Sequence, residues 1–236
     1  MDKQQVLKDI YHKLIVSCQA RKGWAMHGSD IMAAFAAAAQ EGGAGGIRAN
    51  GPEDILAIKR KVSLPMIGIN KQWQEGYAVY ITPTYESAIP VIEAGAEIIA
   101  LDATPRPRPK GETLESIIKR IRQKYPNVLI MGEISILDEA KRIINMGIDL
   151  ISTTLSGYTA ESANVKSVNL QMVRDITALT PIPVIAEGKI QSIEEAVAVF
   201  EAGAHAVVVG TSITRPEIIT SRYVQGINAY FEKMTE

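Results

Sequence analysis

One cysteine, Cys18, stands in 236 residues, so no disulfide can close within the chain and no cage of thiolates can hold a metal. The three histidines, His12, His27 and His205, share no metal-ligand spacing, and the carboxylates do not cluster with them, which predicts no bound catalytic metal. No apolar run reaches the roughly 18 residues that a membrane span requires. The opening stretch Met1–Ile10 is too polar for a secretory leader, so a soluble, cytoplasmic protein is expected. Basic and acidic residues number 25 and 26, and the basic ones are scattered, which excludes a nucleic-acid footprint. Also missing is the Gly-x-Gly-x-x-Gly turn that opens a dinucleotide-binding sheet: the first apolar strand candidate ends in Ser17-Cys18-Gln19.

What remains is a globular composition, 47% hydrophobic and 22% charged, with strand and helix patterns alternating throughout. Strands are predicted at His12–Gln19, Gly46–Asn50, Pro65–Lys71, Glu97–Thr104, Val128–Ser135, Leu150–Gly157, Pro183–Ile190 and Ala206–Thr214. Amphipathic segments separate them: Ile31–Gln40, Pro52–Lys61, Glu86–Ala94, Thr113–Lys124, Leu137–Met146, Leu170–Leu179 and Ile193–Ala202. Asp30, Thr84, Ser135 and Ser192 are placed to cap helices. A short helix is expected before the first strand and a longer one at Ile218–Phe231. Gly43, Gly95, Gly147 and Gly203 each precede a strand at intervals of 52, 52 and 56 residues, room for two strand–helix units per interval. Glycine suits that place because the backbone turns left-handed where a helix ends. Eight units in a chain near the 250 residues typical of a (β/α)8 barrel predict a closed TIM barrel in one domain over 1–236.

Barrel chemistry is read from the C-terminal ends of the strands. In order these carry Gln19, Arg48, Lys71, Asp102 with Thr104, Glu133, Thr153 with Thr154, Glu187, and Gly210-Thr211-Ser212. A single polar strand end is ordinary, and Lys71 alone could be a lysine that reaches water with its amine. Eight on one face point to a ligand, because gathering buried charges costs several kcal/mol each unless they are paired. Lys71 on the third strand and Glu187 on the seventh face each other across the mouth, a placement that suits two proton-transfer groups. Arg48 beside the lysine, together with burial, is expected to lower the amine pKa, and a salt bridge to Lys71 or Arg48 is the alternative role for Glu187. After the seventh and eighth strands, Gly188, Gly210, Thr211 and Arg215 lead into Pro216 at a helix start, which predicts a phosphate site. His12 and His205 fall near strand starts and are expected to be structural, Cys18 to be a core residue, and Trp24 and Trp73 to flank the mouth.

At these residues a resemblance emerges. Leu14–Gln19, Gly46–Asn50, Pro65–Lys71, Leu101–Thr104, Thr153–Thr159, Val184–Gly188 and Ile213–Pro216 together resemble the N-acetylmannosamine-6-phosphate 2-epimerase family. The resemblance implies a barrel enzyme of bacterial sialic-acid and amino-sugar catabolism, an isomerase that needs no cofactor. It would interconvert N-acetylmannosamine 6-phosphate and N-acetylglucosamine 6-phosphate. It places catalysis on Lys71 and Glu187 and substrate contacts on Gln19, Arg48 and Arg215, with Glu133 standing where the family carries aspartate. Thr153 is a further expected contact, and a homodimer is implied. Met131-Gly132-Glu133-Ile134 departs from the family's Met-Ala-Asp-Ile, and Arg21–His27 replaces its usual first loop.

The chemistry fits independently. C2 of such a sugar is α to the latent aldehyde, so its proton is acidic once the ring opens, and returning a proton to the other face inverts that centre alone. Two other readings suit the same residues. A lyase or aldolase would use Lys71 as a Schiff-base nucleophile, which borohydride would trap. A non-catalytic sugar-phosphate sensor would bind ligand without exchanging the C2 proton.

Overall fold

Each strand is a short run of largely apolar residues, and its alternate side chains fall on opposite faces. In the computed structural model, which describes residues 2–234, eight such strands pair in parallel and in chain order, and the first closes on the eighth. They are β1 (Leu14–Cys18), β2 (Gly46–Asn50), β3 (Met66–Ile69), β4 (Ile98–Asp102), β5 (Leu129–Glu133), β6 (Leu150–Ser152), β7 (Val184–Glu187) and β8 (Ala206–Val209). The helices are α1 (Lys3–Ile10), α2 (Ser29–Glu41), α3 (Pro52–Lys59), α4 (Tyr85–Glu93), α5 (Leu114–Lys124), α6 (Leu137–Ile143), α7 (Leu170–Leu179), α8 (Ile193–Glu201), α9 (Thr211–Thr214) and α10 (Pro216–Glu232). This is the expected (β/α)8 barrel; Met1, Thr235 and Glu236 of the expected 1–236 span lie outside the described residues.

Alternation splits the core in two. Ile15, Ile67, Ile98, Leu129, Leu150, Ile185 and Val208 fill the barrel interior, while Val16, Ile47, Ile99, Ile130, Ile151 and Val184 face the helices. Val6 and Ile10 of α1 join the interior set, so this helix plugs the N-terminal end. His205 helps to hold it, with Nε2 2.8 Å from the Leu7 carbonyl oxygen, and His12 donates its backbone N–H to the His205 carbonyl oxygen. Both histidines are therefore structural. The four repeating glycines all take positive φ, from 80° to 104°, as the helix-end turn demands.

Two features differ from the sequence expectation. Several strands are shorter, and β8 stops at Val209: the chain then coils into α9, where Thr214 Oγ1 donates to the Ser17 carbonyl oxygen at 2.7 Å. Helix caps also shift. Thr84 and Ser192 cap as expected. Asp30, however, lies inside the first turn of α2, whose cap position is Gly28, and Ser135 precedes the cap position of α6. The Glu139 carboxylate reaches back instead, accepting from the Ser135 and Ile136 backbone N–H groups at 2.6 and 3.2 Å.

Strand β3 lies against the helix layer through Gly68. A Cβ there would meet Val91 Cγ1 at 2.4 Å and Ala96 Cβ at 2.7 Å, and the alanine methyl cannot retreat without moving backbone. Gly68→Ala is expected to cost about 1–3 kcal/mol of unfolding free energy in urea titration. An unchanged midpoint would mean that β3 and α4 separate freely.

Candidate active site

The alternation that fills the barrel with Ile15, Ile67, Leu129 and Ile185 places every second residue further along the strand on the same inner face. Ser17, Glu133 and Glu187 thus point inward above the apolar layers, and Gln19 and Lys71 follow one step higher. Arg48 shares their level, its register partner on β1 being Ser17. It is 2% exposed, the largest of the fully buried side chains.

A guanidinium so placed requires counter-charge, and two carboxylates supply it. Arg48 Nη2 donates to Glu133 Oε1 at 2.5 Å. Arg48 Nε lies 3.2 Å from Glu187 Oε2, within ion-pair reach but off the hydrogen-bond direction. Burial alone would lower the arginine pKa; Glu133 and Glu187 more than offset it, and the net shift is upward. The salt-bridge alternative for Glu187 is thus realised with Arg48.

Glu187 is steadied from the turn that follows β6. Thr154 Oγ1 donates to Glu187 Oε2 at 3.0 Å, while Thr153 Oγ1 exchanges hydrogen bonds with the Glu187 backbone at 2.9 and 3.0 Å. Burial raises the Glu187 carboxyl pKa to about 7, with Arg48 opposing the shift and Glu133 reinforcing it. Lys71 moves the other way: burial, with Arg48 adding to it, lowers its amine to about 8 against the pull of Glu133 and Glu187. Both groups therefore titrate close to neutrality, where a general acid and a general base are useful.

A cavity of about 580 Å³ opens over these residues at the C-terminal mouth. Of the predicted site residues, Gln19, Arg48, Lys71, Glu187, Gly188, Gly210, Thr211 and Arg215 line it. Glu133 and Thr153 do not: both are buried behind the lining, one against Arg48 and the other against the Glu187 backbone. They hold the groups that do face the cavity. Asp102 and Thr104 are likewise engaged elsewhere, bonded to each other and to Arg106. Buried polar atoms without hydrogen-bond partners gather here, namely Gln19 Oε1, Arg48 Nε and Glu133 Oε2. Such atoms are rare in a barrel built for stability alone and mark a place for a polar ligand.

Several lining residues escape a reading of strand ends. Asn50 accepts the Lys71 backbone N–H at 2.8 Å and so fixes where the lysine leaves β3. The segment after it doubles back: Gln72 donates to the Tyr80 carbonyl oxygen at 2.8 Å and Thr82 to that of Asn70 at 2.9 Å, which brings Tyr80 and Ile81 to the cavity. At the rim, cations and rings alternate. The Arg215 guanidinium lies 3.9 Å from the Trp24 ring, and Arg21 sits 5.5 Å from Trp24 and 5.3 Å from Trp73. Arg215 also donates to Glu217 at 2.7 Å. Lys189 and Arg222 complete the side near Gly188 and Gly210. Cys18 is buried in the helix-facing core, its thiol pushed up to about 12 by burial.

Fold and cavity define a class: (β/α)8-barrel proteins with a partly buried lysine and a partly buried carboxylate on one cavity at the C-terminal mouth, beside glycine-rich turns. Residues 32–229 match the family described as "Putative N-acetylmannosamine-6-phosphate epimerase". A protein from Caldanaerobacter subterraneus named "Putative N-acetylmannosamine-6-phosphate 2-epimerase" is 50% identical over 93% of this chain and 92% of its own length. One of the same name from an Enterobacter species is 48% identical over 95% and 97%. The solved structure of the N-acetylmannosamine-6-phosphate 2-epimerase from Clostridium perfringens superposes with a TM-score of 0.89 at 41% identity, covering 93% of this chain and 95% of that one. A thiamine phosphate pyrophosphorylase from Pyrococcus furiosus, 17% identical with a TM-score of 0.57, shares the fold alone. The chain belongs to the N-acetylmannosamine-6-phosphate 2-epimerase family.

The Glu133 charge raises the pKa of both Lys71 and Glu187. Glu133→Gln keeps the shape and removes that charge, so both pKa values fall. Any activity that depends on the pair should shift its pH profile toward acid on both limbs, read from kcat/KM against pH. A profile that stays in place would show that Glu133 does not act on the pair electrostatically.

Proposed function

We propose that this chain interconverts N-acetylmannosamine 6-phosphate and N-acetylglucosamine 6-phosphate by removing and returning the proton at C2. The observation that carries the proposal is the pairing of Lys71 and Glu187 on one cavity, with pKa values brought to about 8 and about 7. In the ring-opened sugar the C2–H bond breaks as one of the pair takes the proton, and the electrons move into an enolate at C1. The other member then gives a proton to the opposite face of C2, so no oxidant, reductant or other reactant is consumed. Arg48 faces the growing negative charge, a role in which a fixed donor is worth more than it would be in water. Gln19, with its free Oε1, orients a sugar hydroxyl or amide, and the turns at Gly188 and Gly210 with Thr211 and Arg215 hold the phosphate. Glu133 and Thr153 act one step back, positioning Arg48 and Glu187.

The reaction passes through the form of the pair that holds one proton. Below about pH 7 both members are protonated and no base remains; above about pH 8 both have lost their protons and no acid remains. The profile of kcat/KM against pH should therefore be a bell with its maximum between those values, and its limbs belong to the pair rather than to either residue. Lys71→Ala should leave a folded protein that converts the substrate about 10²–10⁴ times more slowly, followed by NMR. Near-normal turnover would remove the lysine from the mechanism, and an imine trapped by borohydride would replace proton transfer with Schiff-base chemistry.

The same reading places the enzyme in the cytoplasm, where sugar phosphates are made and used, and no helix among the described residues is long and apolar enough to cross a membrane. A homodimer is part of it. Helix α10 buries none of its residues and exposes Tyr223, Ile227, Tyr230 and Phe231, while Ile193 and Val197 of α8 are also uncovered. Ile227→Asp should shift the protein from dimer to monomer in sedimentation velocity. A wild-type protein that sediments as a monomer at micromolar concentration would overturn this.

A further inference from the structure

Lys189 follows the catalytic strand β7 by two residues and has a left-handed backbone with φ of 58°, a conformation that costs a side-chain-bearing residue free energy. Glycine would adopt it readily, so something besides the turn requires a side chain here. The surroundings direct that side chain. Its stem crosses Gly157, where a Cβ would lie 2.3 Å from Lys189 Cε and 2.6 Å from Nζ. Gly157 itself has φ of 79°, so the slot is open only because both the turn and the missing methyl allow it. Beyond the slot, Nζ stands 5.0 Å from the centre of the Tyr158 ring, on the wall of the cavity.

Three cations stand near the turns at Gly188 and Gly210, and they differ in what they hold. Arg215 is paired with Glu217 and stacked on Trp24. Arg222 donates to Gln191 Oε1 at 3.2 Å and to Ser212 Oγ at 3.5 Å. Lys189 has neither a carboxylate nor a hydrogen-bond acceptor among the described residues; beyond the Gly157 slot its ammonium faces the Tyr158 ring. A strained backbone, a glycine slot and an aromatic support thus deliver an ammonium without a counter-ion into the cavity.

We propose that Lys189 is a specificity-determining residue, the cation that meets the substrate's phosphate from the β7 side, opposite Arg215. This rests on the sugar-phosphate reading of the site and extends it to a residue outside the strand-end set. With Arg215 already satisfied by Glu217, the free ammonium supplies the attraction that a phosphate feels first on entering. Arg215 adds its fork once Glu217 is displaced.

The test compares Lys189→Met, Lys189→Arg and Lys189→Gly. Inorganic phosphate binding is measured by calorimetry, and kcat and KM with N-acetylmannosamine 6-phosphate. A charge-assisted hydrogen bond at a partly open site predicts a loss of about tenfold in phosphate affinity for the methionine variant, with KM raised in parallel and kcat within about twofold. Arginine should keep most of the affinity. Glycine should lose it while raising, or at least preserving, the thermal unfolding midpoint, because the left-handed strain is relieved; a residue kept for packing would behave in the opposite way. Wild-type phosphate affinity in Lys189→Met overturns the proposal, and so does a fall in kcat with KM and phosphate binding unchanged. A wild-type protein that fails to turn over the sugar but binds phosphate, with that binding lost in Lys189→Met, would overturn the epimerase reading and leave this inference standing.

Discussion

The guanidinium of Arg48 sits at the top of the barrel interior with a carboxylate on either side, and the site is arranged around it. Removing one partner from a buried ion pair typically costs about 3–5 kcal/mol, since the remaining charge is left without water or counter-ion. Arg48, Glu133 and Glu187 therefore hold one another in place: Glu133 anchors the arginine at 2.5 Å, and the arginine keeps Glu187 turned toward the cavity. The same positive charge disfavours a second one nearby, so Lys71, already short of solvent, gives up its proton more readily. Burial has opposite consequences for an amine and a carboxyl, and here it brings them to neighbouring values. Burial thus brings the two proton affinities together, while the buried cation sets the geometry and lowers both of them.

Much of this was legible in the sequence because a barrel strand has period two. Once Pro65–Lys71 is read as a strand buried on both faces, the inward position of Lys71 follows from that of Ile67 and Ile69, and Glu187 follows from Ile185. The glycines at 43, 95, 147 and 203 were readable because a left-handed turn leaves few alternatives. Less could be seen where contact is decided in three dimensions. That Glu133 bonds Arg48 instead of lining the cavity depends on the level of two strands across the barrel, which sequence does not carry. The fold-back of residues 72–82 has no periodic pattern to announce it. Lys189 stood in plain view after Glu187-Gly188, but its left-handed backbone and its passage over Gly157 are properties of the folded chain. The misplaced caps show the same limit: Ser135 has a capping side chain, yet Glu139 supplies the acceptor.

The two departures from the family pattern have physical settings. Gly132 faces outward, where a Cβ would approach Ile143 Cδ1 at 2.8 Å, whereas Glu133 faces inward onto Arg48. The longer carboxylate spans the distance to a guanidinium, and the glycine meets a different layer, so each answers to its own neighbours. The Arg21–His27 segment builds the rim: Trp24 lies beneath Arg215, and Arg21 bridges Trp24 to Trp73, which stacks on Tyr80 with centroids 5.4 Å apart. Cation–ring contacts of this kind contribute about 0.5–1 kcal/mol each when exposed, enough to order a loop but not to lock it. The Arg21–His27 segment thus supports Arg215 through Trp24, and its Arg21 charge also helps to lower the Lys71 pKa.

Direct titration of the two side chains tests the central claim most closely. With isotope-labelled lysine and glutamate, NMR of the free protein follows the Lys71 amine and the Glu187 carboxyl through neutral pH. The account predicts that Lys71 loses its proton near pH 8 and that Glu187 does so near pH 7. A Lys71 ammonium that stays charged to about pH 10, with Glu187 ionised by about pH 4, would match ordinary solvent-exposed groups and contradict it.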